Sequence, residues 1–216
     1  MNSQTEHLTL SGAAGAIEAL RAGAARADGG TPRGVAVIAH PHPLFGGSME
    51  NKVVQTLARA FVQCGWTTVR FNFRGVGASD GVHDEGRGEL QDLLAVVEQM
   101  APRSQGQRIA LAGFSFGAFV ASHALASLWP GGRVEYAVLV GTAAGRFSVA
   151  PVPPEAHPRT LVVHGEQDDT VPLSAVMDWA RPQILPITVV PAGGHFFHGQ
   201  LPLLKNLVLR HLQSGA

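Results

Sequence analysis

From Gly34 onward, short runs of β-branched and apolar residues alternate with longer amphipathic stretches. Runs at 35–39, 67–73, 108–112, 135–140, 160–164 and 187–190 have strand length and are apolar on both sides, which predicts strands covered on both faces. Between them, 51–64, 86–100, 116–128, 173–180 and 200–212 predict helices. Segment 116–128 is apolar nearly all round, so it is predicted to be buried. Strand and helix alternate through five repeats. That order predicts an α/β domain with a mostly parallel, doubly wound sheet and helices on both faces, not a bundle.

Before Gly34 the pattern admits two readings. Residues 13–27 are Ala-rich and would form a helix on propensity alone. Strands at 8–10 and 16–20, separated by a Gly-containing turn, fit better as an antiparallel hairpin at the sheet edge. Segment 143–158 contains Pro151, Pro153, Pro154 and Pro158 and no periodicity, so it reads as a loop too short for a lid domain. No repeat or linker divides the chain, and 216 residues suit a single domain over 1–216.

Composition removes several function classes. Sixteen basic and sixteen acidic side chains cancel without a run of one sign, so neither nucleic acid nor an anionic membrane is an expected partner. No apolar run reaches the roughly 20 residues that span a bilayer. The polar start at Met1 lacks a basic segment followed by an apolar one, so no secretory signal is read and the cytoplasm is the expected location. Cys64, the single cysteine, cannot form an internal disulfide and is expected to be a buried structural thiol.

Candidate chemistry enters at Gly113-Phe114-Ser115-Phe116-Gly117, which follows the 108–112 strand and opens the 116–128 helix. Acyl transfer by serine needs a hydroxyl projected from the sheet, and flanking glycines remove the Cβ atoms that would block so sharp a turn. Further motifs are His40-Pro41-His42-Pro43-Leu44-Phe45-Gly46-Gly47, Asn51-Lys52-Val53-Val54 and Arg74-Gly75-Val76-Gly77. With the serine turn, they resemble a compact, lidless bacterial serine hydrolase subgroup of the α/β-hydrolases, similar in size to dienelactone hydrolases. The resemblance runs from about residue 35 to the end. It implies the α/β-hydrolase fold without a lid domain and Ser115 as nucleophile. Dienelactone hydrolases carry cysteine at that position, so their lactone chemistry is not carried over.

In such folds the order is serine, acid, histidine, each at the carboxyl end of a strand. His164-Gly165-Glu166-Gln167-Asp168-Asp169-Thr170-Val171-Pro172 resembles the family's His-Gly-x-x-Asp-x-x-Val-Pro and puts Asp168 at the acid position. Asp169 is a rival better suited to stabilising the turn, and Glu166 one better suited to solvent. The other location used by relatives, Gly141-Thr142-Ala143-Ala144-Gly145, has no carboxylate. Imidazole titrates near neutrality and suits the base. His195 follows the last strand behind Gly193 and Gly194, which would let the chain turn back toward Ser115; His198 is the runner-up. His123 reads as a satisfied helix residue and His211 as a surface one.

One oxyanion donor is expected from the Phe116 N–H. A second must come from the 40–47 loop, where Pro41 and Pro43 have no N–H and His42, Leu44 and Phe45 remain. Similarity of Leu44-Phe45-Gly46 to the Ile-Phe-Gly of dienelactone hydrolases favours Leu44. His40 and His42 could otherwise pair on a metal with Asp168 and His195, but nothing would then supply a general base, so no metal and no cofactor are expected. Residues 74–81 lack the Walker lysine and read as a cleft-wall loop, with Arg74 paired to a nearby carboxylate. Phe45, Phe116 and Phe196 are expected to line an open cleft for a small-molecule ester. The reading is a carboxylesterase for small or medium acyl esters. Thioesterase, peptidase, acyltransferase and non-catalytic binding protein remain alternatives.

Overall fold

Eight strands, β1 (Thr5–Gly12), β2 (Gly15–Ala22), β3 (Val35–Ala39), β4 (Thr67–Phe71), β5 (Ile109–Phe114), β6 (Val134–Val140), β7 (Thr160–Gly165) and β8 (Thr188–Val190), form one sheet. Their order is β1-β2-β4-β3-β5-β6-β7-β8. The computed structural model describes residues 5–23, 30–102 and 106–214. β1 pairs antiparallel with β2, and β2 antiparallel with β4, while every pair from β4 through β8 is parallel. This is the mostly parallel sheet that the alternation predicts, with the antiparallel hairpin at its edge.

Among the described residues five α-helices cover it: α1 (Lys52–Gln63), α2 (Arg87–Met100), α3 (Phe116–Leu128), α4 (Leu173–Ala180) and α5 (Leu201–Gln213). The two-residue period of a strand divides the core. Val35, Val37 and Ala39 point to the layer of α2, α3 and α4, whereas Ala36 and Ile38 point to α1 and α5. α3, predicted to be buried, presents Phe116 through Ser122 wholly to the interior.

The hairpin reading holds for residues 15–22, where Ile17 and Ala19 are buried against the core. Pairing and burial override alanine's helix propensity there; the rest of the Ala-rich run, 24–27, lies outside the described residues. β4 stops at Phe71, two residues short of the predicted end: Asn72 still donates its N–H to the Glu18 carbonyl of β2 at 2.9 Å, but the Phe73 N–H turns to the His40 ring at 3.0 Å instead of a strand partner. Segment 143–158 carries no lid. Cys64 is half-buried at the C-terminal cap of α1, not fully buried as expected, and burial pushes its thiol pKa up. No helix among the described residues is long and apolar enough to cross a membrane.

β3 is the strand where the winding reverses, with β4 on one side and β5 on the other. Loops leaving β3 and β5 therefore part in opposite directions and open a crevice at their carboxyl ends. His40 and Ser115 stand at that crevice.

Candidate active site

Ser115 is the single residue between β5 and α3, at φ 57° and ψ −118°. A non-glycine residue held there is strained by about 1–3 kcal/mol, and the surroundings enforce it. A Cβ on Gly113 would collide with the Gly117 carbonyl, and one on Gly117 with the carbonyl oxygens of Ala39 and His40. Both glycines are thus required by close backbone approach. The Ser115 N–H donates to the Val140 carbonyl at 2.8 Å, tying the turn to β6.

His195 Nε2 lies 3.0 Å from Ser115 Oγ, and its Nδ1 lies 2.7 Å from Asp168 Oδ2. All three residues are buried. With Nδ1–H donated to the carboxylate, the Nε2 lone pair faces the serine hydroxyl. Asp168 Oδ1 accepts the N–H groups of Thr170 at 3.0 Å and Val171 at 2.7 Å. Burial opposes ionisation of Asp168, but the bonds from His195 and Val171 outweigh it and hold the carboxyl below its ordinary range. His164, to which the sequence assigned no role, donates Nε2–H to the Val171 carbonyl at 2.9 Å and stands 3.5 Å from Asp168 Oδ2. It braces the acid turn from beneath.

The acid and base loops are tied to each other. Gln167 N–H donates to the Gly193 carbonyl at 2.8 Å, and Ala192 N–H to Glu166 Oε2 at 2.9 Å. Glu166 is therefore a clasp between the loops and not merely a solvated side chain. The turning of the His195 loop also differs from expectation. Ala192 and Phe197 take the positive φ values, 53° and 51°, not Gly193 or Gly194. Gly193 serves close approach instead, its carbonyl lying against Gly165. Asp169 and His198 are exposed and contact neither Ser115 nor His195. His123 Nε2 bonds the Ser148 carbonyl, as a satisfied helix histidine does. His211 corrects the surface reading: it is half-buried, bonded to the Arg159 carbonyl and edge-on to Tyr136, because α5 lays it against the sheet.

Across the crevice, His40 is fully buried and both ring nitrogens are engaged, leaving none for a metal. Nε2 accepts the Phe73 N–H at 3.0 Å, so Nδ1 carries the proton and donates to the Pro41 carbonyl at 2.6 Å. Burial lowers its pKa to about 4 against that backbone bond, and the ring is neutral. The Pro41 carbonyl and the His42 N–H belong to one trans peptide and point in opposite directions. Pinning the carbonyl to His40 thus turns the His42 N–H away from His40, and His42 lines the cleft.

Leu44, favoured by similarity as the second oxyanion donor, does not suit that role here. Its N–H is donated to His42 Nδ1 at 3.2 Å and its side chain is exposed. His42 caps the short 3-10 turn Pro43–Phe45 with its ring, as an N-cap side chain does, and its carbonyl accepts the Phe45 N–H at 3.1 Å. Of the three amides left open by the prolines, only that of His42 has no acceptor among the described residues. The Phe116 N–H, at the first position of α3, has none either.

These groups border an open cleft of about 570 Å³. Phe45, Phe116 and Phe196 line it as predicted, and so does Phe147, which stacks on Phe119. Behind the wall, Arg74 grips the buried Asp92 through Nε at 3.0 Å and Nη2 at 2.8 Å, the carboxylate pairing anticipated for it.

Comparison with known proteins shows the family and the fold. Residues 30–157 match the model of the serine aminopeptidase S33 family. An α/β serine hydrolase without a lid from Xanthomonas campestris is 36% identical with a TM-score of 0.86, over 99% of this chain and 96% of that one. An α/β serine hydrolase homologue from Coxiella burnetii is 36% identical with a TM-score of 0.79, over 98% and 99%. An uncharacterized protein of Rickettsia prowazekii (strain Madrid E) is 46% identical over 90 residues, which span 40% of this chain and only 37% of that protein.

Proposed function

The chain belongs to the α/β-hydrolase superfamily and matches its serine aminopeptidase S33 family, and within it we propose a carboxylesterase that cleaves small or medium acyl esters. The observation that carries the proposal is the continuous line of bonds from Ser115 through His195 to Asp168 at the mouth of an apolar cleft. His195 Nε2 takes the hydroxyl proton as Ser115 Oγ attacks the ester carbonyl. The developing oxyanion is met by the N–H groups of Phe116 and His42, each donor contributing on the order of 10² to 10³ in turnover. Nε2–H then protonates the departing alkoxide, leaving an acyl-serine. Water attacks the acyl-serine as it gives a proton to His195, and His195 passes that proton to Ser115 Oγ as the acid leaves, which restores the free enzyme. Asp168, held ionised below its ordinary range, orients the imidazole and stabilises its protonated form.

The family's description names aminopeptidases, and an aminopeptidase must hold a cationic amino terminus. No aspartate or glutamate lines the cleft among the described residues, which favours the ester reading over that one. A fluorophosphonate adduct read by intact mass tests the nucleophile, with Ser115→Ala as control. The expected result is one adduct in the parent protein and none in the variant. Absence of labelling under conditions that modify a standard serine hydrolase overturns the enzymatic reading, and peptide hydrolysis without ester hydrolysis overturns the esterase assignment.

A further inference from the structure

Arg146 lines the same cleft, and the steps above give it no task. Its place is built. Ala144 and Phe147 on either side pair as an isolated β-bridge, and the Phe147 ring stacks on Phe119 at 4.8 Å and 21°. Farther along, the Ala150 N–H donates to Ser122 Oγ at 3.1 Å, and Trp179 Nε1 donates to the Ala150 carbonyl at 3.2 Å. The backbone that carries Arg146 is therefore anchored to α3 and α4, and its exposed side chain lines the cleft.

Several arginines elsewhere serve structure: Arg33, Arg70, Arg74, Arg87 and Arg181 each meet a carboxylate. Arg146 meets none among the described residues, and no carboxylate shares its cleft. Among the described residues it is the one lining side chain with a permanent charge. Burial, the neighbouring His83 and the charge of Arg146 together lower the pKa of His42, and Glu89 opposes them. Phe147, the next residue, holds its ring 5.8 Å from that of His42, which puts Arg146 toward the His42 end of the cleft. A guanidinium is a rigid planar fork matched to a carboxylate, and an otherwise apolar wall strengthens that pairing.

We propose that Arg146 selects esters bearing a second, free carboxylate, such as monoesters of dicarboxylic acids. The inference rests on Ser115 being the nucleophile, and it names the substrate class of that site. One guanidinium with no second permanent cation beside it suits a single negative charge, which argues for carboxylate over phosphate dianion.

Two series of esters test this by proton release at constant pH. In the first, monomethyl succinate, glutarate and adipate are compared with methyl butanoate, pentanoate and hexanoate, which puts the carboxylate on the acyl side. In the second, O-acetyl-3-hydroxypropanoate is compared with propyl acetate, which puts it on the alcohol side. The ratio of kcat/KM, charged over neutral, is expected to be about tenfold in one series, mostly through KM, the scale of one charge-assisted pair in a half-open cleft. Arg146→Gln is expected to bring the ratio to about one, and Arg146→Glu to invert it. A ratio at or below one in both series, or a ratio unchanged in Arg146→Gln, overturns the proposal. If Ser115 takes the fluorophosphonate and neutral esters turn over while the ratio stays flat, only this inference falls. If Ser115 is not labelled, the hydrolase reading falls with it.

Discussion

The turn that carries Ser115 and the loop that carries His42 line the same cleft from opposite sides of the sheet's reversal, yet they are held in different ways. The serine turn is held by its own five residues and the strands beside it: Gly113 lies against Gly117, and Gly117 against the end of β3. The His42 loop is held from a distance. His40 is fastened to Phe73, Met49 N–H donates to Asn72 Oδ1 at 2.9 Å, and Arg70 Nη1 to the Met49 carbonyl at 2.6 Å. All three partners lie on β4 or just beyond its end. A nucleophile can thus be set by local backbone, whereas the peptide facing it is set by a neighbouring strand.

The sharpest break in that comparison is on the serine side. Ser115→Ala is expected to lower kcat by about 10⁶, the loss seen when a serine nucleophile is removed, while thermal unfolding stays near that of the parent protein. On the other side, His40→Gln releases the Pro41 carbonyl without touching any group proposed to react. Turnover on a neutral ester is expected to fall about 10²-fold, mainly in kcat, as when one oxyanion donor is lost. A change confined to KM would contradict the role given to His40 as a positioning residue.

Stability offers a third probe. His40 has a folded pKa near 4 against 6.5 for the free side chain, so its stabilising contribution is complete above pH 6.5. As pH falls from 6.5 to about 4 the unfolded chain binds the proton first, and about 3 kcal/mol is expected to be lost. His164 and His211, also lowered by burial, act in the same direction. Asp168, depressed below its ordinary range, adds a loss only at still lower pH. Urea titrations across this range should show a shallower decline in His40→Gln; an identical decline would remove His40 as the source. The smallest expected effect is Gly46→Ala, about 1–2 kcal/mol in the same titrations, since φ there is 75° and the added methyl meets open space.

Much of the site is legible in the chain as written. Ser115, Asp168 and His195 were picked out by local patterns, and the fold brings them within hydrogen-bond distance of one another. Leu44 was preferred on a three-residue likeness, which could not reveal that the His42 ring takes the Leu44 N–H. Nothing in the sequence around Arg146 marks it as a cleft residue; that follows only from the packing of its loop. Glu166 and His164 sat inside a recognised motif, but their tasks depend on Ala192 and Val171, with which they meet only after folding.

Sequence alone determined the strand and helix alternation, the serine turn and the order of acid and base, because each depends on side chains that differ from their neighbours along the chain. Tertiary structure decided which peptide N–H groups are taken by internal acceptors, which loops clasp each other and that Arg146 lines the cleft without a carboxylate beside it. Every residue except proline carries an N–H, and nothing in its own chemistry marks the direction it will take. That direction comes from partners such as Phe73 and His40, 33 positions apart in the chain and joined by one bond in the fold.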